Sequence, residues 1–254
     1  MDIKQEVDLV ANLKNYAVTK RGRLFNLYIS GSNLYGWNSK DSDIDIRGAI
    51  LLEKENFLGL NKPKEVFEIN TFDEDIVLFE VGKMVQLALK GNCNILEEIN
   101  APQFYKTAEF IRLKQLINNA FGKRGIYNSY RGMAEFNYKK FIKQGRNTVK
   151  KYLYVFRGLM AGIYCLETGQ IQPNMDKLNE RFKIKEVDEL LKIKREGTEN
   201  GELINLDAGK LDTLIRDLFD KLDNAYLKCK MPEVPDEKDI EELNKYLINL
   251  RLEK

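Results

Sequence analysis

The feature that most constrains the fold is a change of hydrophobic period along the chain. Up to about residue 105, apolar residues come in short runs rich in Val, Ile, Leu, Phe and Tyr; beyond it, every apolar pattern has the three-to-four spacing of a helix. Residues 23–30 (RLFNLYIS) read as a strand stopped by Gly31, and 42–52 (SDIDIRGAILL) as a second. Residues 65–70 and 75–80 read as two further strands around a polar turn at Asp73 and Glu74. Val7, Val10, Leu13, Tyr16 and Ala17 mark a helix within 1–22, and 32–36 form a short helical turn. Val81, Met84, Val85, Ala88 and Leu89 line one face of a helix over 80–90 that stops at Gly91. Helical spacing then occupies 107–120, 131–143, 147–168, 176–195 and 207–230. After a break at 231–235, Ile240, Leu243, Leu247 and Leu250 mark a terminal helix. Strands first and helices after predict an α+β chain: a small mixed-sheet domain over 1–118 and a mainly α-helical domain over 119–254.

Composition then removes chemistries. The 254 residues include no histidine, which excludes Ser-His-Asp and Cys-His catalysis, His-ligated zinc and imidazole acid–base work. Catalysis by this chain must rest on carboxylates, lysine, arginine, hydroxyls and a hard metal ion. Cys93, Cys165 and Cys229 are odd in number and scattered, which suits buried thiols in a reducing compartment. The first residues, MDIKQE, offer no hydrophobic segment of a signal peptide. No apolar run nears the ~20 residues of a membrane span, so a cytoplasmic location without membrane partners is expected.

The net charge of +2 conceals an asymmetry. Residues 121–157 hold ten basic residues (Lys123, Arg124, Arg131, Lys139, Lys140, Lys143, Arg146, Lys150, Lys151 and Arg157) against one acid, Glu135, a net of +9. The remainder carries 31 basic and 38 acidic residues, a net of −7. The same window contains nine aromatic residues. Interleaved cations and aromatics suit phosphates and unstacked bases, and equally a solvated helix face backed by core aromatics.

The chemistry-bearing stretch lies between the first two strands. On a strand, residues i and i+2 share a face, so Asp43 and Asp45 would stand side by side with Ile44 and Ile46 turned to the core. Two adjacent carboxylates repel unless a cation joins them, and Mg²⁺ commonly binds through one or two carboxylates plus substrate phosphates. Ten residues upstream, Gly31-Ser32 closes a strand and opens a helical turn, where backbone N–H groups and a hydroxyl can hold phosphate oxygens. A phosphate cradle beside a metal site is far more specific than either half.

With these residues, the chain resembles the DNA polymerase β-like nucleotidyltransferase superfamily, whose signature is Gly-Ser, ten residues, then Asp-x-Asp. More narrowly, GSNLYG at 31–36 and SDIDIRG at 42–48 resemble the RNA-ligase-associated predicted nucleotidyltransferases. The likeness continues through Asp75, Phe79 and Glu80, through KGNCNILE at 90–97, through KKYLYVFR at 150–157 leading to Glu167-Thr-Gly169, and at Met231-Pro232. Cys93 departs from it, standing where such proteins often carry proline.

The resemblance implies that 1–118 is a nucleotidyltransferase catalytic domain and 119–254 a helical nucleotide- and substrate-binding domain. It implies transfer of an NMP from an NTP (ATP by default) to a hydroxyl, with release of pyrophosphate. Two Mg²⁺ ions, or Mn²⁺ in their place, would be held by Asp43, Asp45 and a third carboxylate, either Asp75 or Glu80. Asp75 is preferred, because Glu80 also suits the first turn of a helix. Gly31 and Ser32 would anchor the triphosphate. Lys150, Lys151 and Arg157 are candidates for triphosphate or RNA-phosphate contact; Lys150 and Arg157 lie two helical turns apart on one face, which is also the pattern of a solvated face. RNA is the first acceptor considered. Transfer to a protein or a small hydroxyl compound is an alternative, as is a non-catalytic RNA-binding module, and the oligomeric state stays open. Tyr35 and Trp37 suit packing behind the turn better than stacking on a base, and Arg47 is either a partner of the carboxylates or an edge-strand arginine.

Overall fold

The computed structural model describes residues 3–70, 74–145, 148–197 and 207–252. Helix α1 (Ile3–Thr19) precedes β1 (Gly22–Ile29), a short α2 (Gly31–Tyr35), β2 (Asp45–Leu52), one-turn α3 (Glu55–Leu58), β3 (Val66–Ile69) and β4 (Asp75–Glu80). Helices α4 (Val81–Leu89) and α5 (Cys93–Asn100) lead to β5 (Gln103–Lys106). Thereafter the described residues form α6 (Ala108–Ala120), α7 (Lys123–Lys140), a 3₁₀ turn (Ile142–Gln144), α8 (Val149–Thr168), α9 (Met175–Phe182), α10 (Lys185–Glu196), α11 (Ala208–Lys228) and α12 (Glu237–Leu252). The fold is α+β, as the change of period predicts.

The five strands form one mixed sheet in the order β3-β4-β2-β1-β5, in which only β2 and β4 run parallel. Alternation along the strands sends side chains to two covered faces. On one, Leu9, Leu13 and Ala17 of α1 pack against Leu24, Leu27, Ile46, Ile50, Ile76 and Leu78. On the other, Phe25, Tyr28, Ala49 and Leu51 join a second core that continues through α4–α8 to Leu222 in α11 and Leu250 in α12. Asp45 and Arg47, in step with Ala49 and Leu51, belong to this helix-covered face. The expected division at 118/119 falls in the last turn of α6, and the apolar core is continuous across it. Among the described residues no helix is long and apolar enough to cross a membrane.

Several elements differ from expectation for non-local reasons. β2 begins at Asp45, three residues late, so Asp43 lies in the approach to the strand. α5 was not expected; Asn92, readable as a cap, accepts from Ile95 N at 3.2 Å and starts it. β5 is four residues long and its ladder partner is the distant β1. α7 starts at Lys123 rather than near 131 despite Gly125, which is required because a Cβ there would lie 2.6 Å from Lys90 O. The single helix expected over 176–195 breaks at Lys183, which takes φ +53°. Asp73, Arg146 and Asn147 lie outside the described residues.

Candidate active site

The signature residues meet where β1 ends and β2 begins. Ser30 N donates to Asp45 O at 2.8 Å, which extends the ladder by one rung before the chain turns at Gly31. Gly31 takes φ +62°, and a Cβ on it would fall inside the contact surface of Asp45 Oδ2. Only glycine lets the turn lie this close over the carboxylate. The first N–H groups of α2, which have no intrahelical partner, therefore begin directly beside Asp45. Ser32 is partly buried, and its carbonyl accepts from Trp37 N at 3.1 Å.

Parallel pairing sets Asp45 opposite Asp75. Arg47, two residues along on the same face, joins them: its Nη2 lies 2.8 Å from Asp75 Oδ2 and 3.3 Å from Asp45 Oδ1, while Nη1 donates to Asp75 O at 2.7 Å. Asp43 is exposed, and Asn33 Nδ2 donates to its carbonyl at 3.5 Å. Burial pushes the Asp45 carboxyl above the usual range; Arg47 opposes this, and the charges of Asp75 and Asp43 add to it. Two acids thus meet one arginine, and the charge of Asp43 also acts on Asp45, an excess of negative charge carried on hard oxygen donors of the kind Mg²⁺ prefers. Among the described residues no three Asp, Glu, Cys or His side chains are grouped to hold an ion as they stand. Arg47 occupies the space between Asp45 and Asp75 for which a cation would compete. Donor chemistry and charge excess are of the kind a divalent cation needs, and Asp45 and Asp75 are the pair that the structure brings together.

Glu80 is turned elsewhere. It is buried at the start of α4, accepts from Gly82 N at 2.7 Å and Lys83 N at 3.3 Å, and pairs with Arg251 at 2.8 Å. These partners account for it as a helix cap. Of the two carboxylates considered for the third position, Asp75 is the one beside Asp45.

Glu98, which the sequence reading passed over, stands behind the turn. Ser30 Oγ donates to its Oε1 at 3.5 Å. Burial raises its carboxyl to about 7, against a hydrogen bond from Tyr28 and the charge of Arg47. The sequence offers no signal for it, since two adjacent glutamates 100° apart can both lie on the polar face of an amphipathic helix. The loop leading to Asp43 is also held from α10, where Arg195 Nε donates to Gly36 O at 2.9 Å and the buried Lys194 lies 3.5 Å from Ser39 Oγ.

Arg157 requires a correction. Its side chain is 1% exposed, pairs with the fully buried Glu97, and lies 3.9 Å over the Tyr35 ring, so it is closed to a phosphate. Tyr130 donates to the same glutamate at 3.1 Å. Burial pulls the guanidinium pKa down, and Glu97 and Tyr35 more than restore it, leaving it above its usual range. Tyr35 and Trp37 are buried against Tyr154, with ring centroids 6.2 Å and 5.4 Å away, as the packing reading expects. Lys150 and Lys151, in the first turn of α8, are partly exposed.

The basic window is also less positive in space than in sequence. Lys123 and Arg124 pair with Glu233, Arg131 with Asp223 and Glu135, Lys139 with Glu135, and Lys143 with Asp212. Acids from α11 and from the segment before α12 compensate cations that the local sequence leaves unpaired.

A family model described as the RNA repair pathway DNA polymerase beta family matches residues 3–249. The uncharacterized protein MJ0002 of Methanocaldococcus jannaschii is 37% identical over 149 residues, which is 57% of this chain and 60% of that protein. The uncharacterized protein YcgL of Bacillus subtilis is 29% identical over 231 residues, 87% of this chain and 86% of its own. The match thus spans less than two thirds of the first relative and most of the second. A nucleotidyltransferase-like protein from Exiguobacterium sibiricum aligns at 13% identity over 100% of this chain and 81% of its own, with a TM-score of 0.31.

Proposed function

We propose, from the premise that this chain belongs to the RNA repair pathway DNA polymerase beta family, that it is a nucleotidyltransferase moving an NMP from an NTP to a hydroxyl of RNA. In the reaction the acceptor oxygen bonds to the α-phosphorus, the bond to the leaving pyrophosphate breaks, and the hydroxyl proton passes to a carboxylate or to water. The observation that carries this reading is the close seat of Gly31 over Asp45, in register with Asp75. It brings a helix start suited to phosphate and a charge-rich carboxylate pair to one point.

In this reading the backbone at Gly31 and Ser32 binds the triphosphate oxygens. Asp43, Asp45 and Asp75 hold Mg²⁺ or Mn²⁺, and Arg47 keeps Asp45 and Asp75 facing each other. Ions held there would supply stabilisation of the charge that develops at the reacting phosphate and would lower the pKa of the attacking hydroxyl. Lys150 and Lys151 contact phosphates; Arg157 acts only by holding Tyr35, and so the turn, in place.

The test is incubation of the chain with each α-labelled NTP (ATP first), Mg²⁺ or Mn²⁺, and total RNA or protein. Label enters RNA with wild type and is lost with Asp45→Asn and with Gly31→Ala, whose added methyl would collide with Asp45. Label in protein instead would move the acceptor to a side chain. Equal labelling by wild type and Asp45→Asn would remove catalysis from this site.

A further inference from the structure

A cavity of about 550 Å³ lies against the Gly31 turn, within the size range of small-molecule sites. Ile29 at the end of β1 and Asn33 and Leu34 of α2 form one wall, so the cavity and the candidate phosphate seat share a turn. The β5 residues Gln103 and Phe104 form a second wall, and residues 171–174 with Lys177 of α9 form a third. The lining holds no acid and one cation, Lys177, which forms no ion pair among the described residues. Its ligand therefore has an uncharged body.

The amides of the lining divide into two sets. Asn100 and Gln103 are fully spent within the protein. Asn100 exchanges hydrogen bonds with Asn118 at 3.0 Å and 2.9 Å and donates to Leu96 O at 2.9 Å. Gln103 donates to Glu98 O at 3.1 Å and Ala101 O at 2.9 Å and accepts from Asn26 at 2.8 Å. Asn33, Gln172 and Asn174 are anchored at one amide atom each: Asn33 Nδ2 donates to Asp43 O at 3.5 Å, Gln172 Oε1 accepts from Asn174 N at 3.1 Å, and Asn174 Oδ1 accepts from Lys177 N at 3.2 Å. Among the described residues Asn33 Oδ1, Gln172 Nε2 and Asn174 Nδ2 make no hydrogen bond. One open acceptor and two open donors thus stand beside the apolar surfaces of Leu34, Phe104 and Ile171. A planar heterocycle with donors and acceptors on its edge answers this set. Adenine presents an N6 amino donor beside the N7 acceptor, whereas the same edge of guanine presents two acceptors and leaves Asn33 Oδ1 unmatched.

We propose that this cavity holds the adenine ring of the NTP whose triphosphate the Gly31 turn seats, an inference that rests on the nucleotidyltransferase reading and adds to it the residues that select the base. Asn33 Oδ1 accepts from the N6 amino group, Gln172 Nε2 and Asn174 Nδ2 donate to ring nitrogens, and the ring lies among Leu34, Phe104 and Ile171. Lys177 meets the phosphate nearest the sugar. Selection of the base draws on both parts of the chain, α2 and β5 from the strand-rich part and the segment before α9 from the helical part.

The experiment is calorimetric titration of the full chain with ATP, GTP, CTP, UTP and inorganic tripolyphosphate, in Mg²⁺ and without RNA. Wild type should bind ATP more tightly than the other three nucleotides and than tripolyphosphate. Gln172→Ala should weaken ATP about fivefold, the scale of one hydrogen bond. Ile171→Trp, which fills the cavity from a half-buried loop position, should weaken ATP about tenfold or more. Tripolyphosphate has no base, so its affinity should stay within about twofold in both variants. An unchanged thermal unfolding midpoint shows that the fold is kept, and Gln172→Ala carries the test if the tryptophan variant unfolds. ATP weakened no more than tripolyphosphate by Gln172→Ala, or GTP or CTP bound by wild type as tightly as ATP, overturns the assignment. Weakened binding of a fluorescent single-stranded RNA by these variants, with ATP unchanged, gives the cavity to the acceptor and overturns it as well. Selective loss of ATP in a chain that labels neither RNA nor protein keeps the base site and removes the transfer reaction. Label transfer that both variants leave intact, and that ATP and GTP support equally, does the reverse.

Discussion

Two arginine–carboxylate clusters adjoin the Gly31 turn, and they use the same chemistry in opposite ways. Arg157 and Glu97 are matched one to one and sealed in the core, with side chains 1% and 0% exposed. Arg47 faces Asp45 and Asp75, with Asp43 near, and the side chains of those first two acids are 29% and 58% exposed. A sealed, matched pair cannot receive a ligand; its work is positional, holding α8, α5 and Tyr35 together. An open cluster with more acids than bases retains charge for something else to neutralise. Stoichiometry and access, rather than the presence of an arginine, separate a strut from a site.

The largest effect should come from unbalancing the sealed pair. Arg157→Ala leaves Glu97 as an uncompensated buried charge, which costs about 3–5 kcal/mol, read as a lower urea midpoint. Arg157→Lys should recover only part of this, because an ammonium cannot reproduce the planar contact with Tyr35. A loss below about 1 kcal/mol would show that the pair is not closed to water. The open cluster should respond in the other currency. Asp45→Asn is expected to lower label transfer roughly 10²–10³-fold, the scale of losing one group that stabilises developing charge. Its unfolding free energy should stay level or rise at pH 7, because burial and acidic neighbours already disfavour the Asp45 charge. If Asp45→Asn destabilised the chain as Arg157→Ala does, the two clusters would not differ in kind.

How far this contrast can be read from sequence follows from where each partner lies. The signature spacing makes Gly31, Ser32 and Asp45 legible, since close approach of a glycine turn to the next strand is a local matter. The choice between Asp75 and Glu80 is not local: it depends on the parallel register of β2 with β4 and on Arg251, 171 residues beyond Glu80. The face shared by Lys150 and Arg157 is correctly periodic, yet periodicity does not say that this face turns inward within two turns. Glu97, 60 residues away, decides that. Asp212, Asp223 and Glu233 likewise compensate the basic window from other elements. The short α5 and β5 escape for the same reason, being made by packing and edge pairing more than by their own pattern.

Glu98 lies between the two clusters electrostatically, feeling Arg47 on one side and Glu97 on the other. Its folded carboxyl titrates at about 7 against an ordinary 4.5, so the folded chain holds this proton more tightly than the unfolded chain. The associated stability is fully present below pH ~4.5 and is lost as pH rises to about 7, then stays flat. The amount is on the order of 3 kcal/mol at most. Glu98→Gln should remove this slope from a plot of unfolding free energy against pH, while Asp75→Asn should not. A slope that survives Glu98→Gln would assign the proton to another group.

The smallest effect tests whether burial is what gives the Arg157 pair its weight. Arg216 pairs with Asp212 at an i,i+4 spacing in α11, and its side chain is 69% exposed. Arg216 keeps most of its hydration, salt screens the attraction, and its long side chain loses freedom when the pair forms. Asp212 also retains Lys143 and Tyr138 when Arg216 is removed. Arg216→Ala should therefore leave the thermal unfolding midpoint unmoved at moderate salt, although it deletes the same kind of bond as Arg157→Ala. If the two variants shifted the midpoint alike, exposure would not be the variable that separates a structural pair from an incidental one. The weight assigned to the sealed cluster would then have to come from Tyr35 stacking alone.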